Sequence, residues 1–263
     1  MPLSMNTTPR RRAAFTLVEL LVVIAIIAVL VSLTLAGVQR VRVLGPQTEN
    51  AARIQQIHDA IGRCKNELKL DYIPSNGGFN LKSTYAGNEP ELDVLTRAFP
   101  NMPIGSPTGL PNVTLDGNQT LCFFLTGGAG NSFTGFSNNP TQPFSGGGTT
   151  RKGPWLEPNN KLFALAGNGQ AWLVDVYGVP YGYFASVGGK QNNYGTQTFQ
   201  PSGQPVALTP YTSAGRFMNE SGFQIISAGR DKAFGGGGAL PASGAGEDNQ
   251  SNFSKFLLGG RLD

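Results

Sequence analysis

The sequence predicts an α+β protein: a long N-terminal helix packed on a small antiparallel sheet, with long Gly-rich loops. Three observations carry this. An almost unbroken apolar run fills Phe15–Val38, a helical period of apolar residues continues over Gln39–Leu70, and turn-punctuated strand patterns occupy the last third. Composition agrees. Gly 36 and Pro 18 make about a fifth of the 263 residues. Only 14% are charged, against roughly 25% in an average soluble domain, which argues against a helical bundle or long coiled coil. Hydrophobic residues at 40% and aromatics at 10% supply a core and argue against wholesale disorder.

The first element begins after a short polar leader, Met1–Ala14, which carries Arg10, Arg11 and Arg12. From Leu17 to Ala36 the apolar run is broken only by Glu19, Ser32 and Thr34. Twenty helical residues rise about 30 Å, the thickness of a bilayer's hydrocarbon core. The arginines should stay cytoplasmic, which places the C-terminal remainder outside that membrane. A secretory signal cut after Ala36 is one reading, but its apolar region would ordinarily be about 7–15 residues. An uncut signal-anchor is another. Neither accounts for Glu19. An ionised acid in mid-bilayer costs roughly 3 kcal/mol, less near the end of a span, and is a functional candidate by default.

Ala14-Phe15-Thr16-Leu17-Val18-Glu19-Leu20-Leu21 after a basic leader resembles the type IV prepilin signature. The resemblance implies an inner-membrane prepilin peptidase that cuts between Ala14 and Phe15 and methylates the new amino group of Phe15. Glu19 becomes the fifth residue of the processed chain. A cationic amine and a carboxylate are both costly in lipid, so pairing one subunit's amine with a neighbour's Glu19 lowers that cost and sets axial register. Such a head-to-tail contact generates a filament rather than a ring. The family usually has Gly where this chain has Ala14, which implies slower processing.

Beyond the span, Ile54, Ile57, Ile61, Cys64 and Leu68 recur at steps of three and four, with the charged residues largely elsewhere. Gly45-Pro46 is expected to kink or loosen this helix. His58 is expected at its surface or edge. Tyr72–Lys161 is dense in Gly, Pro, Asn, Ser and Thr, and reads as loops with short strands, notably Leu121–Leu125. Phe133, Phe136 and Phe144 lack neighbouring basic residues, so no nucleic-acid platform is expected there. Ala171–Tyr177 reads as a strand, Gly178-Val179-Pro180 as a turn and Tyr181–Ala185 as the return.

Asp-x-Tyr-Gly-x-Pro-Tyr at Asp175–Tyr181 resembles a hairpin of the major pseudopilins of type II secretion systems. Phe223–Asp231, ending in Ser-x-Gly-x-Asp, resembles their next strand, and Gly235–Gly238 with Glu247-Asp248 follow in the same order. The resemblance implies a calcium loop with Asp231 and Asp248 as ligands, Glu247 adjacent and Ser227 as a carbonyl donor. Arg230 and Lys232 flank Asp231, and Ala239–Ala245 lengthens the loop, so a solvated loop with incidental acids is the alternative.

His58 is the single histidine, and Cys64 and Cys122 lie far apart, with no CxxC, HExxH or GxxxxGK[ST]. Partners in a Cys–His site meet only in space. An oxidising compartment would permit a Cys64–Cys122 disulfide. The expectation is a structural subunit, not an enzyme: residues 1–14 a cleaved leader, 15–38 the membrane and fibre-core helix, 39–70 its amphipathic continuation, 71–160 a variable region and 161–263 a β-rich head. Its implied partners are other pseudopilins in a polymer, the peptidase, the inner-membrane secretion platform and the membrane, with the head in the periplasm. The alternatives are a subunit of an adhesion or DNA-uptake pilus and an exported enzyme or binding protein. Three of the twenty basic residues sit in the acid-free leader, and its removal leaves 17 against 16 acidic. The formal charge of +4 thereby becomes +1, so the basicity reads as a topology signal, not a nucleic-acid footprint.

Overall fold

The computed structural model describes residues 15–75, 78–130, 132–147, 150–158 and 161–260. It is α+β, and the chain falls into two compact units divided between Gly45 and Pro46. Helix α1 (Leu17–Leu68) runs for 52 residues. In the first unit its Leu17–Leu35 stretch has a mean hydropathy of 2.9 with none of it buried, long and apolar enough to cross a membrane. Gly45-Pro46 marks the boundary between units, but Pro46 lies inside α1 and does not end it.

In the second unit the helical period is realised. Ile54, Ile57, Ile61, Cys64 and Leu68 are all buried in one core. The variable region adds β1 (Phe79–Leu81), α2 (Glu91–Ala98), β2 (Val113–Leu115), α3 (Gly117–Thr126), β3 (Phe136–Ser137) and β4 (Arg151–Lys152). Its side chains join the same core instead of forming a detached loop: Phe79, Leu95, Phe99, Phe123, Phe124 and Phe136 pack with α1.

Leu121–Leu125, expected as a strand, lies within α3. The deciding residues stand outside the apolar run. Asp116 caps the helix, accepting the Gln119 N–H at 2.8 Å, while Gln119 Oε1 accepts the Asp116 N–H at 3.1 Å. This reciprocal box satisfies two of the helix's orphan donors. Gly127 ends it in the left-handed region at φ 73°, where a side chain is disfavoured.

The head continues with β5 (Phe163–Leu165), β6 (Ala171–Leu173), β7 (Gly182–Ala185), β8 (Thr209–Ser213), β9 (Arg216–Phe217), β10 (Phe223–Ser227), β11 (Gly237–Ala239) and β12 (Gln250–Ser251). The expected strand–turn–return over 171–185 is present, though its regular strands are shorter: β6 and β7 are linked by a Val174–Pro180 bridge. One antiparallel sheet has the order β12-β10-β7, with Phe223 opposite Ala185 and Ile226 opposite Gly182. A second, β11-β8-β9, contains one parallel pair, β11 with β8. Side chains alternate across β7 and β10. Tyr183, Ala185 and Ile225 enter the core shared with α1 and α3, whereas Phe184 and Ile226 enter a second cluster with Tyr194, Phe199, Tyr211 and Phe234.

The Cys64–Cys122 disulfide does not form in this structure: both thiols are free and buried. Each has its own place in the core. Cys64 Sγ donates to the Phe124 carbonyl at 3.6 Å. Burial pushes the Cys122 thiol up to about 12 and the Cys64 thiol further still, with Glu67 adding to the latter. Both act as small hydrophobic residues rather than reactive ones. His58 is half-buried, its ring 4.9 Å from that of Phe223.

Candidate functional site

At the start of α1, Phe15 is 78% exposed and precedes a capping arrangement that the Thr-x-x-Glu spacing encodes. Glu19 Oε2 accepts hydrogen bonds from Thr16 N at 2.8 Å and Thr16 Oγ1 at 2.9 Å. Thr16 Oγ1 in turn accepts the Glu19 N–H at 3.2 Å. Glu19 is therefore fixed one turn from Phe15, with one carboxylate oxygen committed to its own helix start. Ala14 and the arginines Arg10–Arg12 lie outside the described residues.

In the head, the fold brings together two of the four residues suggested for calcium. Asp231 N donates to Asp248 Oδ2 at 3.0 Å, and Asp248 Oδ1 is buried with no hydrogen-bond partner. Partial burial, with the Asp248 carboxylate beside it, raises the Asp231 carboxyl above its ordinary range. Glu247 is exposed, and its Oε1 accepts the Gly244 N–H at 3.1 Å. The Ser227 hydroxyl donates to Asp175 Oδ2 at 2.7 Å, a contact separate from the carbonyl suggested as its ligand atom. Among the described residues no three of His, Cys, Asp and Glu converge. The flanking Arg230 and Lys232 are both exposed. The pair supplies two carboxylates, well short of the roughly 6–8 oxygen ligands that calcium takes.

Asp175 was legible as part of a motif but not as a buried acid. Its Oδ1 accepts the N–H groups of Tyr177 and Val179, each at 2.9 Å, which shapes the turn before Tyr181. Burial raises its carboxyl pKa, and the hydroxyl of Ser227 opposes that rise.

Residues 9–35 match the family described as the prokaryotic N-terminal methylation motif. The match includes the apolar Leu17–Leu35 stretch and is consistent with a type IV prepilin-like protein, and the α+β architecture is consistent with a pilin-like fold. Proteins with this motif are generally processed by a prepilin peptidase and assemble into polymeric fibres. No curated protein and no solved structure matched the chain.

Proposed function

We propose that the chain is a pseudopilin-like structural subunit of a type II secretion fibre. It is cut between Ala14 and Phe15, methylated on Phe15 and held in the inner membrane by Leu17–Leu35, with its head in the periplasm. The observation that carries this reading is the Phe15–Thr16–Glu19 helix start. Thr16 holds Oε2 of Glu19, so the carboxylate keeps a fixed position from which it accepts a neighbour's Phe15 amine. That charge neutralisation sets the subunit register in the fibre core. The partners are other pseudopilins, the peptidase and the inner-membrane secretion platform. A pilus subunit would share the same N terminus; the Asp175–Tyr181 turn and the Asp231–Asp248 loop favour secretion. Glu19→Ala tests the assembly role. The variant should be inserted and processed but form few fibres, and fibres at the parent level would remove that role from Glu19.

Calcium is not part of this reading, because the two carboxylates of Asp231 and Asp248 fall well short of its ligand shell. Calorimetric titration of the full chain in detergent micelles should show no heat of calcium binding. Heat that Asp231→Ala abolishes would contradict this and return both acids to the role of ligands.

A further inference from the structure

We propose that a cavity in the head, lined by Arg151 and Gln170, binds a small organic carboxylate, a ligand role separate from fibre assembly. The cavity holds about 300 Å³ beside the C-terminal end of α3, with Leu110, Phe123 and Phe144 among its apolar walls. That volume lies at the lower end of ligand pockets and limits the occupant to a small molecule. Among the described residues no Asp or Glu lines the cavity, and Arg151 is its charged group.

Arg151, the first residue of β4, is half-buried and pinned by backbone oxygens. Its Nη1 donates to the Gly135 carbonyl at 3.2 Å and the Ser145 carbonyl at 2.8 Å, and its Nη2 donates to the Gly146 carbonyl at 2.5 Å. A guanidinium carries five N–H donors, so Nε–H and one Nη2–H are left over. Among the described residues Arg151 makes no ion pair. The carbonyls thus fix where the cation sits without supplying a counter-charge. A carboxylate supplies that charge and two acceptor oxygens.

Gln170, just before β6, points to the same chemistry independently. It is only 8% exposed, and its Oε1 accepts the Gly130 N–H at 2.7 Å. Its Nε2 makes no hydrogen bond among the described residues, although the side chain lines the cavity. A buried amide with an unused donor calls for an acceptor. Arg151 and Gln170 therefore both offer N–H groups to an anion. The Phe123 and Phe144 rings, with centroids 6.0 Å apart, offer its apolar body a surface.

Fluorine NMR of 4-fluorophenylacetate, titrated with the full chain in uncharged detergent micelles against an empty-micelle blank, tests the site. The parent should bind this carboxylate saturably. It should bind the neutral 4-fluorophenylacetamide at least about tenfold more weakly, since hydrogen bonds between charged groups are the stronger ones. Arg151→Gln should weaken carboxylate binding by a similar factor. Because Arg151 also ties down three carbonyls, Gln170→Glu is the second variant. It keeps an oxygen for the Gly130 N–H and places a negative charge where the amide nitrogen was. It should bind the carboxylate at least about tenfold more weakly, with a thermal midpoint near the parent's. No saturable binding by the parent, equal binding of the amide, or parent affinity in either folded variant overturns the proposal. If Arg151→Gln does not fold, Gln170→Glu and the carboxylate–amide comparison decide.

Discussion

Tyr181 Oη donates to Asn50 Oδ1 at 2.7 Å, joining the return strand of the head to helix α1 across 131 residues of sequence. Both residues are fully buried, and Asn50 Nδ2 donates onward to Gln250 Oε1 at 2.8 Å. The Gln250 amide in turn donates to the Gln47 carbonyl at 3.0 Å. An amide inside an apolar interface is tolerated only when its hydrogen bonds are made. Tyr181→Phe keeps the ring and leaves Asn50 Oδ1 without this donor, so unfolding of the full chain should show a loss of about 1–3 kcal/mol. Unchanged stability would mean that water replaces the phenol.

The two cysteines should behave as core residues. With both thiols buried and their ionisation suppressed, a thiol-labelling reagent should modify neither in the native protein and both in denaturant. The intact mass of protein taken directly from the membrane fraction should correspond to reduced thiols. A mass two hydrogens lower, with no labelling in denaturant, would show that the fold admits the Cys64–Cys122 bond after all.

Asp116 gives the head a pH-dependent component. Burial raises its carboxyl above the ordinary 3.8, outweighing the hydrogen bonds from Gln119 and Trp172. A group with a raised folded-state pKa contributes stability fully present below the unfolded value and lost as pH rises through the folded one. Asp116→Asn can still cap α3 but does not titrate. The parent should therefore lose stability relative to Asp116→Asn as pH climbs from about 4, with the difference levelling off above the folded pKa. Parallel thermal midpoints at every pH would contradict this.

What the sequence made legible follows from how local each signal is. The steps from Ile54 to Leu68 mark one helix face, and all five of those residues are buried together. Leu121–Leu125 is a short apolar run, and such runs do not distinguish strand from buried helix. Asp116, Gln119 and Gly127 settle the matter, and they were readable as a capping box and a C-terminal glycine. Thr16 and Glu19 were readable in the same way. The second core cluster was not, because Tyr194, Phe199 and Tyr211 stand among Gly, Asn, Gln and Pro with no sustained period. Nor was the Ser227 contact with Asp175, since 52 residues separate them and only the β7–β10 pairing brings them together. The acids Asp231 and Asp248 could be named from motif order, but which of their neighbours joins them could not.

The central claim is that Phe15 begins the mature chain and that the apolar helix stays attached to the head. Mass spectrometry of the mature N terminus, on protein expressed with a prepilin peptidase, tests this most directly. The account predicts N-methylated Phe15 as the first residue, with Leu17–Leu35 retained. A mature chain beginning at Gly37 would contradict it, because the helix that carries Glu19 would then be discarded with the signal.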